Sequence, residues 1–150
     1  MTDTPLTGTA PAAGRAGSGA SPPLSRPSYQ AFLVLWLGFT VAPIAFGLDK
    51  FFDVLVDWER YLAPEIVDAA PGNAHQIMLA VGVVEIVAGL VVALRPRVGG
   101  YLVAAWLGGI IVNLLLQADF YDIALRDFGL LLGALALARL ATEYRPQVVR

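Results

Sequence analysis

Cysteine is absent from the 150 residues, which removes disulfides, thiolate metal sites and thiol redox chemistry together. Serine occurs only at positions 18, 21, 25 and 28, and the sole histidine is His75. Neither a Ser-His-Asp triad nor a His/Cys metal site can be assembled from that inventory, so no catalytic residue and no metal ligand is expected. Neither a GxGxxG nor a P-loop pattern is present. Charge is scarce, at 15% of residues and a net -2. No basic stretch with interleaved aromatics occurs, so nucleic acid is not an expected partner. Lysine occurs once, at Lys50; every other basic side chain except His75 is arginine.

What remains is apolar. The chain is 57% hydrophobic, with a mean hydropathy of +0.68. That is far above an ordinary soluble domain, so the expected fold class is all-α and integral to a membrane, with the lipid bilayer as principal partner. Residues 1 to 28 are rich in Pro, Gly, Ala, Ser and Thr without apolar periodicity, and read as a disordered tail. They lack the basic and apolar regions of a signal peptide. Four spans are expected, at about 29–52, 75–94, 98–116 and 123–141, followed by a basic tail over 142–150. Short loops make sequential helices antiparallel neighbours in a four-helix bundle.

Pro43 is expected to kink the first span. After it, Asp53, Asp57 and Arg60 fall on one side, with Phe52, Leu55, Trp58 and Leu62 opposite. That pattern predicts a short amphipathic helix lying in the interface, with Trp58 and Tyr61 at headgroup level. The third span carries two ladders of small residues, Gly100-Ala104-Gly108 and Ala105-Gly109-Asn113, suited to close helix packing. On the fourth, Arg126, Gly129, Gly133 and Ala136 share a face. Arg15, Arg26, Arg95, Arg97, Arg139, Arg145 and Arg150 fall on one side of the membrane, against Lys50, Arg60 and Arg126 on the other. Both termini are therefore expected to be cytoplasmic.

The chain is organised around His75 to Arg97, an apolar run interrupted by one acid, Glu85. His75, Met78, Gly82, Glu85 and Gly89 lie along one face of that helix. A carboxylate within a span costs roughly 2.5–3.5 kcal/mol on insertion scales, so it must be protonated, paired or turned to a polar cavity. Glu85 is then either a ligand-binding or proton-accepting group, or a structural acid paired with Lys50 or Arg126. Lys50 either snorkels outward or bends inward toward Glu85. Arg126 and Asp127 open the fourth span, where Asp127 suits a helix N-terminus but Arg126 needs a partner such as Glu85 or Asp49. With Lys50 and Asp49 they are candidates to line an outward vestibule. Asn113 is expected to hydrogen-bond a neighbouring helix. His75 and the aromatics Trp36, Trp58, Trp106 and Tyr101 read as interfacial or packing residues.

Gly47-x-x-Lys50 closing the first span, Glu85-x-x-x-Gly89 in the second, Arg97 before an Ala/Gly-rich third span and Arg126-Asp127 before FGLLLGALALARL together carry a resemblance. Over about residues 30–141 the sequence resembles the DoxX-like family of four-helix bacterial membrane proteins. That resemblance implies a multi-pass protein of the inner (plasma) membrane. It also implies an accessory subunit of a redox-linked membrane complex, with a quinone as candidate cofactor and a membrane-associated oxidoreductase as candidate partner. Thiol chemistry known from related membrane folds does not carry over, because the cysteines are missing. Two other classes stand beside it: a small transporter or proton-coupled channel, built as a homo-oligomer with Glu85 as its titrating site, and a structural scaffold using the small-residue ladders.

Overall fold

The computed structural model describes residues 26–144, so the expected disorder of the N-terminal tail and the arginines at 15, 145 and 150 lie outside the described residues. Four long helices dominate: α1 (Pro27–Asp49), α3 (Ala74–Leu94), α4 (Pro96–Gln117) and α5 (Tyr121–Leu140), with a six-residue α2 (Pro64–Ala69) between the first two. Among the described residues the secondary structure is entirely helical. α1, α3 and α4 are each long and apolar enough to cross a membrane. α5 is comparable in length but carries Asp122, Arg126, Asp127 and Arg139, and does not meet the same measure.

Local chemistry sets the boundaries. Pro27, Pro64 and Pro96 each sit in the first turn of a helix, where the missing N–H costs nothing. α3 opens on a capping box: Gln76 N–H donates to Asn73 Oδ1 at 2.9 Å, and Asn73 N–H donates to Gln76 Oε1 at 3.3 Å. α1 runs on through Pro43 as one helix. The α3–α4 connection is a single residue, Arg95, and a Cβ at Gly99 would stand 2.5 Å from the Val92 backbone. Only glycine allows that approach.

α1 packs along α3, α4 along α5, α3 against α4, and α1 against α5, closing a ring. The core gathers at one end of it, where Tyr29, Phe32, Val92, Val103, Ala134 and Leu137 are buried together. Ser28 Oγ and Tyr144 OH lie 2.7 Å apart there, and the Tyr29 and Tyr144 rings meet edge on. Outside the ring, Val84, Val87, Leu90 and Leu94 on α3 and Val34, Leu37 and Val41 on α1 are exposed, an apolar girdle suited to lipid.

The inward face of α5 is Ala124, Asp127, Ala134 and Ala138; of the residues sharing the other face, Arg126, Gly129 and Ala136 are exposed and Gly133 meets Phe39 of α1. The reason is the α4 partner, since Gly100 lies against the Ala134 carbonyl and Ala138, so the small residues of α5 must turn inward. The stretch after α1 is not one amphipathic helix. It comprises turns, a 3-10 turn at Trp58–Tyr61 and the short α2. Phe52, Leu55, Asp53 and Asp57 are all exposed, so it has no two-sided partition. Side chains from α1 and α4 capture its backbone groups, as the site shows.

Candidate functional site

The site begins at a crossing of glycines. A Cβ on Gly47 would stand 2.6 Å from the Gly82 carbonyl oxygen, and one on Gly82 would stand 2.7 Å from that of Gly47. One turn beyond each glycine, in the contact they permit, Lys50 and Glu85 meet: Nζ donates to Oε2 at 2.7 Å. Lys50 is 4% exposed and Glu85 8%. Both charges are withdrawn from water, and each is tolerable only because of the other. The Lys50 ammonium also lies 3.7 Å from the centroid of the Trp58 ring, a cation–π contact. Lys50 thus bends inward, and it is Lys50 rather than Arg126 that pairs with Glu85.

Asp49 is spent on structure. Its carboxylate accepts from the backbone N–H groups of Val54 and Leu55, at 3.2 and 3.1 Å, and from Trp58 Nε1 at 2.7 Å. It does not line the cavity described below. Asn113 acts similarly from α4: its Oδ1 accepts from Ala63 N–H at 2.9 Å and its Nδ2 donates to the Tyr61 carbonyl at 2.6 Å. Its partner is therefore loop backbone rather than another helix. These two side chains replace the hydrogen bonds that a helix over this stretch would have made. Asn113→Leu leaves both backbone groups without a partner, at an expected cost of about 1–3 kcal/mol. Denaturant unfolding in detergent checks it; a loss under about 0.5 kcal/mol would place the Asn113 contacts outside the determinants of stability.

Arg126 and Asp127 divide. Asp127 is buried at the head of α5, and Arg126 Nε donates to its Oδ1 at 3.2 Å. The Arg126 side chain is otherwise exposed and reaches neither Glu85 nor Asp49 within hydrogen-bond distance. The four long helices and the 50–66 segment line a half-open cavity of about 1000 Å³ that runs from the Lys50–Glu85 pair to the edge of the packed core at Ala88 and Val103. Its wall is chiefly apolar, with Lys50, Glu85, Asn113, Arg126 and Asp127 among the lining residues. Trp106 also lines it, and its indole nitrogen is buried without an acceptor among the described residues. Of the six candidates from the sequence, five therefore share one chamber, and Asp49 holds its roof.

Trp58 and Tyr61 belong to the site although their sequence pattern suits a headgroup belt. Nothing in the pattern marks Trp58 as the cover of Lys50, because the contact depends on the Asp49 bond that folds the chain back. His75 stays peripheral, its Nδ1 2.9 Å from Glu59 Oε1 in an exposed pair. No family model, curated protein or solved structure matches this chain.

Proposed function

We propose that this chain is a DoxX-like membrane protein of the plasma membrane, with α5 as a fourth span and both termini cytoplasmic. In this reading it serves as a non-catalytic, accessory subunit of a redox-linked complex, and its cavity takes a quinone-like or other small lipophilic ligand. The observation that carries the reading is a cavity of about 1000 Å³ that combines apolar walls with a buried Lys50–Glu85 pair. Volume and lining suit a lipophile with one polar head. Lys50 spends one N–H on Glu85 and turns toward the Trp58 ring. An ammonium has three donors, so one is left to hold a ligand oxygen. A quinone held there would supply electron-carrying chemistry. The chain itself would bind the head, shield it from water and leave the redox step to a partner.

Purification in gentle detergent from native membranes, with mass spectrometry of co-purifying proteins, tests the partner half of this reading. A membrane-associated oxidoreductase in near-stoichiometric amount is expected. A clean homo-oligomer alone would shift the reading to the small transporter or channel, to be examined by proteoliposome flux with Glu85→Gln. Gly109 of the small-residue ladder lines the cavity, and a Cβ there would meet nothing within 4 Å, so that position offers no separate support for the scaffold reading.

A further inference from the structure

The wall of the cavity is unevenly shielded. Every lining residue that α3 contributes, Ile77, Met78, Val81, Glu85 and Ala88, is buried or half-buried. On α4 only Gly109 is exposed, and it has no side chain. α1 and α5 differ. Val34, Gly38, Ala42 and Phe46 on the first, and Arg126 and Leu130 on the second, line the cavity and are exposed at the same time. Residues that face both a cavity and the outside mark its mouth. Leu55 and Val56, tied to the end of α1 through the Asp49 carboxylate, continue that edge.

The helix geometry agrees. The contact between α1 and α5 is the least extensive in the ring. Ser28 meets Tyr144 and Phe39 meets Gly133, so the two helices run antiparallel. Seven residues beyond the second contact on each helix, about 10 Å along the axis, Phe46 and Arg126 stand level and both are exposed. The two helices are therefore closed at the packed core and open beyond Phe39, with Ala42 and Leu130 on the two sides of the gap. Val34 and Gly38 carry the opening on as a groove along the outer side of α1, and a Cβ on Gly38 would meet nothing within 4 Å.

Depth is the other half of the argument. Glu85 lies eleven residues after the α3 start at Ala74 and nine before its end at Leu94. At 1.5 Å per residue the Lys50–Glu85 pair is about 16 Å from one end of the span and about 14 Å from the other. In a hydrocarbon core about 30 Å thick that is near mid-depth, so the gap beside it faces acyl chains. Its sides are apolar, with Arg126 as the charge at the outer edge.

We infer that the cavity opens sideways, between α1 and α5, into the hydrocarbon of the bilayer, and that its ligand arrives dissolved in the membrane. The inference rests on the membrane-spanning, ligand-binding reading proposed above and narrows it. The ligand is a lipophile with a small polar head that reaches Lys50 through the gap. A sugar, a nucleotide or another heavily hydrated solute would have to shed its water before arriving there.

The test is photolabelling of the protein in phosphatidylcholine vesicles with a long-chain alcohol bearing a diazirine on its chain. Adducts are located by tandem mass spectrometry. They are expected on the inner wall, at Met78 and Trp106, and on the outward side of α3, at Val84 and Val87. Gly38→Phe and Ala42→Phe each place a ring at the mouth from an exposed position. Each is expected to lower the inner adducts several-fold and to leave those at Val84 and Val87 unchanged. A water-soluble diazirine carrying a carboxylate is used in parallel. Inner adducts that persist in both variants, or that come from the water-soluble reagent instead, overturn the sideways mouth while the ligand cavity stands. An inner wall untouched by both reagents, with Val84 and Val87 labelled, removes the cavity reading and the inference with it. If the lipid reagent leaves Val84 and Val87 unlabelled, the membrane-spanning reading falls, and the mouth falls too.

Discussion

Lys50→Met is expected to destabilise the folded bundle by about 3–5 kcal/mol, because it leaves the Glu85 carboxylate buried without its counter-charge. The pair is 2.7 Å apart and both members are almost wholly shielded. Most of the loss comes from the stranded acid rather than from the attraction removed. The double replacement Lys50→Met/Glu85→Leu is accordingly expected to recover most of it, since apolar substitutes of similar volume for a buried pair are commonly neutral or stabilising. A double-mutant cycle by reversible unfolding in mixed micelles reads the difference directly. If the double variant were as unstable as the sum of the singles, the pair would be contributing packing or ligand contacts beyond its own electrostatics. If Lys50→Met were silent, the two groups would not be paired in the folded protein. The first result also bears on function: an apolar pair that folds at least as well leaves the wild-type charges to be explained by what the cavity holds.

The second large effect is steric. Gly82→Ala places a methyl 2.7 Å from the Gly47 carbonyl oxygen and 3.1 Å from the Lys50 Cβ, and the first of these is backbone. α1 and α3 must separate to admit it, and overpacking of that kind costs about 1–3 kcal/mol. Gly47→Ala meets the Gly82 carbonyl at 2.6 Å and should behave alike. Gly109→Ala is the internal control, since its Cβ would meet nothing within 4 Å. On an open helical site, alanine is favoured over glycine by roughly 0.8–1.0 kcal/mol, so this change should be neutral to stabilising. Thermal unfolding in one detergent compares the three. Equal losses at 82 and 109 would remove the glycine crossing from the account.

Helical periodicity made much of this legible. Of His75, Met78, Gly82, Glu85 and Gly89, assigned to one α3 face from spacing alone, the last four are buried and His75, in the first turn, is exposed. Lys50 and Glu85 stood out because a charge in an apolar run demands an explanation. Spacing put Arg126, Gly129, Gly133 and Ala136 on one face of α5 without saying which way it turns, and the observed inward set, Ala124, Asp127, Ala134 and Ala138, lies on nearly the opposite side. On a helix so rich in Ala, Gly and Leu, only the partner decides between them, and that partner is Gly100 of α4. The segment after α1 failed for another reason. Its charges and aromatics fit a helical wheel, but the Asp49 carboxylate takes the N–H groups of Val54 and Leu55 in a side-chain turn, and Asn113 supplies backbone partners from across the bundle. Such tertiary substitutes for helical bonds leave no local pattern.

The measurement that bears most directly on the central claim is mass spectrometry of small molecules extracted from the chain after purification from native membranes. Wild-type protein is compared with the Lys50→Met/Glu85→Leu variant. The account predicts one lipophilic compound with a polar head, near-stoichiometric in the wild type and depleted in the variant while the fold is retained. A folded wild-type protein that carries only bulk membrane lipid, in the same amount as the variant, would contradict it.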